Sequence, residues 1–394
     1  MTVFENKEYD VAVCGGGFGG ISAALAAARE GAKVVLFEKE YMLGGLGTAG
    51  LVTIYLPLCD GLGRQVSFGI AEELFRLSIK YGAEDRYPAN WLDGVGTRTE
   101  TDPRFEVRYN AQIFAILAER LLLSEGVDIM YGSYAVDAAV RDEKIESLTV
   151  VNKSGHTKYY TKSVVDATGD CDIAHFAGAK TEAYRQGNIL AAWHYFVDPK
   201  GYQLRMHGYA DVPEEERSGR ESLPLIDRRF GGLDGKELSE MTALSHEQIL
   251  KTFLEAREKE PSVALATIPT IPQIRMTRKI VGASTLTYAE MHTRFEDSIG
   301  CVSNWKKRGP VWEVPLSTLY SPDVKNLFVA GRCTSVDQRL WDVMRVIPCC
   351  AVTGQAAGLA AAMTDDIRKL NVTLLQETLK KNGVVLHESE LPSI

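Results

Sequence analysis

The chain has 394 residues, 45% of them hydrophobic, a length that exceeds one hydrophobic core and predicts two domains. Its formal net charge of −8 argues against a nucleic acid or an anionic membrane as the main partner. Neither a cationic leader with an apolar core nor a run of about eighteen apolar residues is present, so we expect a soluble, cytoplasmic protein.

A strand–helix–strand unit opens the chain. Val11–Cys14 and Val34–Glu38 are continuous apolar runs, typical of buried parallel strands. The alanine-rich segment Ile21–Arg29 predicts the crossover helix, which ends before Gly31. A second glycine-rich segment, Leu43–Thr48, follows and predicts a loop placed where the first glycine loop points.

The loop between the first strand and the helix has the G-x-G-x-x-G spacing. Gly15 permits a tight turn, Gly17 lets the backbone approach a pyrophosphate, and Gly20 lets the helix pack on the strand. The helix N-terminus offers free N–H groups and a positive dipole end to phosphates. Glu38, at the end of the second strand, can accept hydrogen bonds from both hydroxyls of an adenosine ribose. The sequence therefore predicts a dinucleotide site.

The next elements alternate between helix and strand. Apolar periodicity predicts helices over Ala71–Tyr81 and Ala111–Ser124. Strands are predicted over Gly126–Met130, Tyr134–Val140, Ile145–Val151 and Ser163–Ala167. The two alternating strands around residues 134–151 suggest an antiparallel meander that ends near Thr161.

The character of the chain changes from about residue 187 to residue 310. Trp193–Val197 and Arg275–Thr287 predict strands, and a capping box at Ser245–Gln248 predicts a helix through Lys259. The last part of the chain again has the apolar strands and alanine-rich helix of the first region. Asn326–Ala330 predicts a strand, Gly354–Met363 a glycine-alanine helix, and Leu370–Leu386 an amphipathic helix followed by a strand.

The seven cysteines form no C-x-x-C pair and show no metal-ligand spacing with histidine. We therefore expect reduced thiols and no metal site. Cys349 and Cys350 are neighbours, and a disulfide between them would have strained geometry, so two packed thiols are the better interpretation.

Several of these segments resemble the FAD-dependent oxidoreductase family related to the fumarate reductase flavoproteins and the wider glutathione-reductase-like flavin fold. They are the GGGFGG loop with Glu38, Leu43–Val52, Asp166–Ala179, Asn326–Ser335 with Arg345–Ala361, and Pro272–Gly282. The resemblance implies an α/β fold: a Rossmann-like FAD-binding domain, with a parallel sheet and an antiparallel β-meander, plus a smaller α+β substrate domain. We place the FAD-binding domain in residues 1–185 and 312–394, and the substrate or cap domain in residues 186–311.

The motif and the resemblance together imply a non-covalent FAD site. The candidate cofactor-binding residues are Gly15, Gly17, Phe18, Gly19, Gly20, Glu38, Lys39, Gly44, Gly45, Leu46, Thr48, Ala135, Val136, Ala167, Thr168, Gly169, Gly331, Arg332, Gln355 and Ala356. Arg332 can pair either with a phosphate or with a structural carboxylate. The helix opened by Gly354 would place its N-terminus by the flavin and stabilise negative charge on the reduced ring.

The candidate catalytic residues are Arg345, Arg275, Arg278, His194 and His292. Arg275 and Arg278 do not share a face of an extended strand, so one is expected to face substrate and the other a structural acid. Either histidine suits acid/base chemistry near neutral pH, but a hydrogen-bonded structural role is favoured for each. Arg345 points, by family analogy, toward the flavin ring.

The chain is therefore expected to move a hydride between a small polar substrate and flavin N5. It carries only one G-x-G-x-x-G followed by an acid, so electrons would enter or leave through substrate or an unidentified donor or acceptor. A flavin-dependent monooxygenase remains an alternative, as does a non-catalytic or RNA-modifying FAD-binding protein. The acidic balance argues against RNA. We expect a monomer or a homodimer.

Overall fold

A computed structural model describes residues 7–81, 106–208 and 224–391. Its helices are α1 (Phe18–Arg29), α2 (Ile70–Ile79), α3 (Ala111–Ser124), α4 (Asp172–Phe176), α5 (Gly235–Lys259), α6 (Gln338–Met344), α7 (Ile347–Met363) and α8 (Val372–Lys381). Its strands are β1 (Lys7–Cys14), β2 (Val34–Phe37), β3 (Ile54–Tyr55), β4 (Val107–Arg108), β5 (Asp128–Met130), β6 (Tyr134–Arg141), β7 (Lys144–Asn152), β8 (Gly155–Asp166), β9 (Thr181–Ala183), β10 (His194–Asp198), β11 (Gly201–Arg205), β12 (Ala264–Thr267), β13 (Arg278–Ile280), β14 (Ser298–Ser303), β15 (Val311–Pro315) and β16 (Leu327–Val329).

The main sheet has seven strands in the order β5-β2-β1-β8-β7-β6, with β16 also beside β8. Strands β5, β2, β1, β8 and β16 are parallel, whereas β6, β7 and β8 form the antiparallel meander. The predicted mixed α/β fold is therefore confirmed. The strand predicted at Ser163–Ala167 is confirmed as far as Asp166, but it continues the last meander strand as β8, which pairs first with β7 and then with β16.

Helices α1 and α7 pack closely because their facing residues are small. A Cβ added to Gly354 would lie 2.2 Å from the carbonyl oxygen of Gly19, and one on Gly358 would lie 2.0 Å from that of Ala23. The predicted helix start at Gly354 is wrong, since α7 begins at Ile347 with a proline in its first turn. Gly354 thus lies inside the helix, where its role is close helix packing.

In the predicted second domain, β11, β10 and β12 form a sheet that contacts α5. Helix α5 begins at Gly235, where the Asp234 carboxylate accepts the N–H of Glu237 at 2.8 Å. The prediction that Ser245 starts the helix is wrong, because Asp234 supplies an earlier cap. Ser245 instead lies in mid-helix and donates its hydroxyl to the carbonyl oxygen of Ala191 at 2.8 Å.

The strand predicted over Arg275–Thr287 is much shorter in the structure. Only Arg278–Ile280 forms a strand, β13, which pairs with β9. The preceding N–H groups of Arg275 and Met276 are held by the side-chain oxygen of Asn188, at 3.1 and 3.0 Å. A buried side chain has therefore replaced a neighbouring strand as their partner.

Two features of the last hundred residues bear on the remaining predictions. Strand β15, Val311–Pro315, runs across the boundary placed at residue 312, and the division into domains stays a prediction. Beyond α8, the described residues contain a 3₁₀ turn at Glu388–Glu390 but no strand, so the strand predicted up to Leu386 is wrong.

No single helix in the described ranges is long and apolar enough to cross a membrane; only α6 and α7 taken together, bent by 90°, pass on length and composition.

Candidate cofactor and substrate site

A cleft lies at the carboxyl ends of the parallel strands β1, β2, β8 and β16. Open α/β sheets bind their ligands at this edge. Backbone of the glycine-rich loops forms one wall of the cleft. Residues from the predicted second domain also line the cleft and are called the second-domain wall: Gly232, Leu238, Ile271, Pro272 and Ile274.

The first glycine loop closes one end of the cleft. Gly15 has φ of +101°, and a Cβ on Gly20 would lie 1.8 Å from the Gly15 carbonyl oxygen, which confirms the predicted turn and the predicted helix–strand contact. Gly17 lines the cleft, and a Cβ there would meet nothing within 4 Å. No side chain caps α1 at Gly17. The first N–H groups of α1 are therefore available to an anion in the cleft.

The Glu38 side chain is buried, only 4% exposed, beside this loop. One carboxylate oxygen accepts the N–H of Gly16 at 2.6 Å, and the other accepts that of Glu40 at 2.8 Å. Burial raises the pKa of Glu38, and these two N–H groups oppose the rise. Lys39 and Tyr134 border the same end of the cleft, with the Lys39 ammonium 5.7 Å from the centre of the Tyr134 ring.

The second glycine loop rests directly on the first. The N–H of Gly44 donates to the carbonyl oxygen of Gly16 at 2.8 Å. The Thr48 hydroxyl closes the loop by donating to the carbonyl oxygen of Leu43 at 2.5 Å. From outside the loop, the buried Tyr109 hydroxyl donates to the carbonyl oxygen of Gly47 at 2.6 Å. Side chains behind the loop thus position its backbone along the cleft.

Arg332 lines the middle of the cleft and holds the second-domain segment. Its Nη1 donates to the carbonyl oxygens of Ile274 and Arg275 at 3.1 and 2.8 Å, and its Nη2 lies 3.5 Å from the Asp170 carboxylate. The sequence left either a phosphate or a structural carboxylate as the partner of Arg332. Its contacts in the structure are those of a structural arginine. Its guanidinium lies over Gly169, where a Cβ would approach Nη2 to 2.2 Å.

Arg345 lines another part of the cleft, between α6 and α7, which we call the Arg345 end. It is the C-cap residue of α6, and Nε and Nη2 donate to the Asp342 carboxylate at 3.1 and 2.5 Å. Ile347 and Cys350, from the first turn of α7, line the same end. Burial raises the pKa of the Cys350 thiol to about 12, so this thiol stays protonated near neutral pH. All seven cysteines are free, as the sequence predicts.

Residues 10–213 and 187–379 match the model of the FAD dependent oxidoreductase family. The chain belongs to this family. It is an FAD-dependent oxidoreductase, and FAD is its cofactor.

Individual relatives are more distant. A tRNA uridine 5-carboxymethylaminomethyl modification enzyme of Fusobacterium nucleatum is 25% identical over 73% of this chain and 45% of its own length. A thiamine thiazole synthase of Methanothermobacter thermautotrophicus is 29% identical over 43% of this chain and 60% of its own length. The chain thus spans about half the length of these curated relatives. A flavocytochrome c3 fumarate reductase structure is 16% identical, with a TM-score of 0.44 over 91% of this chain and 79% of that chain.

The cleft suits FAD on its own geometry. Open space at Gly17 and the uncapped N-terminus of α1 suit a pyrophosphate. The Glu38 carboxylate, aligned by two N–H groups, suits a ribose. Most of the predicted cofactor residues line the cleft: Gly15, Gly17, Phe18, Gly19, Glu38, Lys39, Gly44, Gly45, Leu46, Ala135, Ala167, Thr168, Gly169, Gly331 and Arg332.

Five predicted cofactor residues are not among those that line the cleft: Gly20, Thr48, Val136, Gln355 and Ala356. Gln355 and Ala356 were placed at a helix N-terminus, but they lie well inside α7. The Gln355 side chain instead accepts the N–H of Ile70 at 2.8 Å, in the first turn of α2. Gly20 and Thr48 act behind the cleft, through helix packing and loop closure.

Of the predicted catalytic residues, only Arg345 lines the cleft. Arg278 has a structural acid as its partner, because it donates to the Asp172 carboxylate at 2.7 Å. Arg275 is buried, with its guanidinium 4.9 Å from the centre of the Trp193 ring.

The two predicted histidines also have neighbours outside the cleft. The ring of His194 contacts the carbonyl oxygen of Ala192 at 3.3 Å, and burial lowers its pKa. The ring of His292 lies 2.9 Å from the Glu388 carboxylate at the surface. These contacts agree with the structural role favoured for each histidine.

Sequence reasoning missed part of the lining. Tyr134 begins the strand that carries the predicted Ala135, so its aromatic side chain was the available signal. The second-domain wall had a weaker signal, the Gly231-Gly232 pair before α5. Nothing local marked Tyr109, because its hydroxyl acts on Gly47 from a distant part of the chain.

Proposed function

We propose that this protein oxidises or reduces a small polar substrate, which binds between the Arg345 end of the cleft and the second-domain wall. FAD supplies the two-electron chemistry, in which a hydride moves between a carbon of the substrate and flavin N5. In the oxidative direction the substrate also releases a proton to solvent or a base. In the reductive direction it takes up a proton.

The observation that carries this proposal is the continuity of the cleft. The lining runs from Glu38 past both glycine loops to Arg345, Ile347 and Cys350. The residues that would hold the adenosine and pyrophosphate lie at the Glu38 end, so the flavin end is assigned to the Arg345 end. Residues of the second-domain wall line the same cleft, and we place the substrate between them and Arg345.

Part of the wall of this site is apolar. Leu238, Ile271, Ile274 and Ile347 supply apolar surface. Flavin enzymes need a dry pocket, with a donor that orients the substrate. Arg345 can orient substrate through its planar fork. Cys350 is not the base, because its pKa of about 12 keeps the thiol protonated.

The test is anaerobic bleaching of the FAD-loaded protein by a panel of hydroxy acids, enoates, polyols and amines. Bleaching by a hydroxy acid, polyol or amine, or reoxidation of the reduced protein by an enoate, supports the proposal. Fast oxygen consumption that depends on NAD(P)H would contradict it in favour of a monooxygenase. Co-purification of RNA in place of a small ligand would point to the nucleic-acid alternative.

A further inference from the structure

The guanidinium of Arg345 is buried at the cleft, yet only part of it is bound. Its side chain is 9% exposed, and Nε and Nη2 donate to Asp342. Among the described residues, no hydrogen-bond acceptor meets Nη1. Because Arg345 lines the cleft, its remaining donors are available to a partner that enters it.

Asp342 lies behind Arg345 and fixes its direction. The Asp342 side chain is 2% exposed, and Lys306 as well as Arg345 donates to it. The Trp305 indole N–H donates to the Asp342 carbonyl oxygen at 3.1 Å, and the Arg345 guanidinium lies 5.9 Å from the Trp305 ring centre. Two cations, Lys306 and Arg345, thus share one buried carboxylate beside the cleft.

The start of α7 contributes the positive end of a helix dipole. Val346, the N-cap residue, forms no side-chain cap, and the helix that follows has 17 residues. Its first turn, through Ile347 and Cys350, lines the cleft beside Arg345. The positive end of the helix dipole and the guanidinium therefore act on the same space.

We propose that Arg345, held in position by Asp342, binds a carboxylate of the substrate, so that the substrate is a small organic acid. A carboxylate matches the planar fork of arginine and can accept two parallel N–H bonds. The apolar walls strengthen this pairing because they lower the local dielectric. The claim that this organic acid is the molecule that reacts rests on the proposed function. The claim that Arg345 binds its carboxylate does not.

The experiment measures binding without turnover. The FAD-loaded protein is titrated with acetate, benzoate and succinate and with the matched amides, and binding is followed by calorimetry and by the visible absorbance of the flavin. Each carboxylate is expected to bind at least about 10-fold more tightly than its amide. Equal affinity for acids and amides in the wild-type protein would overturn the proposal.

Two variants separate direct binding from positioning. Arg345→Lys keeps the charge but loses the fork, and we expect carboxylate affinity to fall at least about 10-fold with FAD affinity unchanged. Asp342→Asn is expected to weaken carboxylate binding and to raise the KM of any acid substrate more than it lowers kcat, and Asp342→Glu should recover part of the affinity. The matched control is Asp337→Asn, which changes the carboxylate that caps the start of α6. It should leave carboxylate affinity unchanged.

The outcomes also distinguish the possible anions. If Arg345→Lys weakens FAD while carboxylates bind as before, the partner of Arg345 is the flavin, and the proposal is wrong. If Asp337→Asn weakens carboxylates as much as Asp342→Asn, positioning by Asp342 is wrong. If carboxylates bind through Arg345 but no hydroxy acid, polyol or amine bleaches the flavin and no enoate reoxidises it, this site stands and the hydride-transfer function is wrong.

Discussion

The two ends of the cleft are built from different parts of the polypeptide. At the Glu38 end, the surface is mostly backbone, with open space at Gly17 and N–H groups at the start of α1. At the Arg345 end, the surface is made of side chains held by other side chains, such as Asp342 behind Arg345. A backbone surface depends on local glycine spacing, and it suits a cofactor that many enzymes share. A side-chain surface depends on distant contacts, and it suits a particular substrate.

The largest effect is expected from adding one methyl group behind the backbone surface. In Gly20→Ala the new Cβ would lie 1.8 Å from the Gly15 carbonyl oxygen, so α1 and β1 must separate. We expect the free energy of unfolding to fall by about 3 kcal/mol. The control, Gly17→Ala, meets nothing within 4 Å and should leave apo stability nearly unchanged while weakening FAD about 10-fold. Urea denaturation measures the stability of each variant, and titration measures its affinity for FAD. Equal losses of stability in Gly20→Ala and Gly17→Ala would contradict the prediction.

Glu38→Gln tests the carboxylate at the Glu38 end of the cleft, where the rest of the surface is mostly backbone. The amide has a single acceptor oxygen, so its NH₂ group would face the N–H of either Gly16 or Glu40. We expect FAD affinity to fall by about 10- to 100-fold, and carboxylate binding at the Arg345 end to survive once FAD is saturating. Fluorescence titration with FAD measures the loss. An unchanged affinity would mean that Glu38 shapes the loop only.

Tyr109→Phe tests how far the second glycine loop depends on support from outside. The variant leaves the buried Gly47 carbonyl oxygen without the hydroxyl that donates to it at 2.6 Å. We expect a loss of about 1 kcal/mol in the free energy of unfolding, measured with urea. Tyr41→Phe is the control, because Tyr41 is 79% exposed and should change stability little. Similar effects for both would show that the loop holds its shape unaided.

A pH-dependent effect is expected at Asp172, which lines the cleft and pairs with Arg278. Burial, with Asp170 and Asp166 nearby, raises the pKa of Asp172 from 3.8 to about 6. The native state therefore keeps this proton to a higher pH than the unfolded chain. The stabilisation it contributes is complete below pH 3.8 and is lost as pH rises toward 6.

Urea unfolding of apo wild type and Asp172→Asn between pH 4 and 7 measures this contribution. The stability of the variant relative to wild type should increase with pH and level off above about pH 6. A constant difference across this range would mean that Asp172 ionises normally in the folded protein.

The contrast between the two ends also explains which features of the structure could be predicted from the sequence. The glycine fingerprint and Glu38 are local, so the first strand–helix–strand unit and its loop follow from spacing, and the family resemblance supplies most of the other candidate FAD-binding residues. Predictions failed where a distant side chain decided the structure. Asn188 ended the strand expected before Arg278, Asp234 moved the start of α5, and close packing on α1 placed Gly354 inside α7. Arg345 was identified from its position before that helix, but Asp342 behind it was not.

The central claim is that the cofactor end and the substrate end are separate binding surfaces in one cleft. The most direct measurement is a pair of titrations, with FAD on the apo protein and benzoate on the FAD-loaded protein, for Gly17→Ala and Arg345→Lys. We predict opposite patterns: Gly17→Ala weakens FAD but leaves benzoate binding intact at saturating FAD, and Arg345→Lys weakens benzoate but leaves FAD binding intact. If both variants weaken FAD to the same extent and neither changes benzoate binding, the two surfaces are one and the account is wrong.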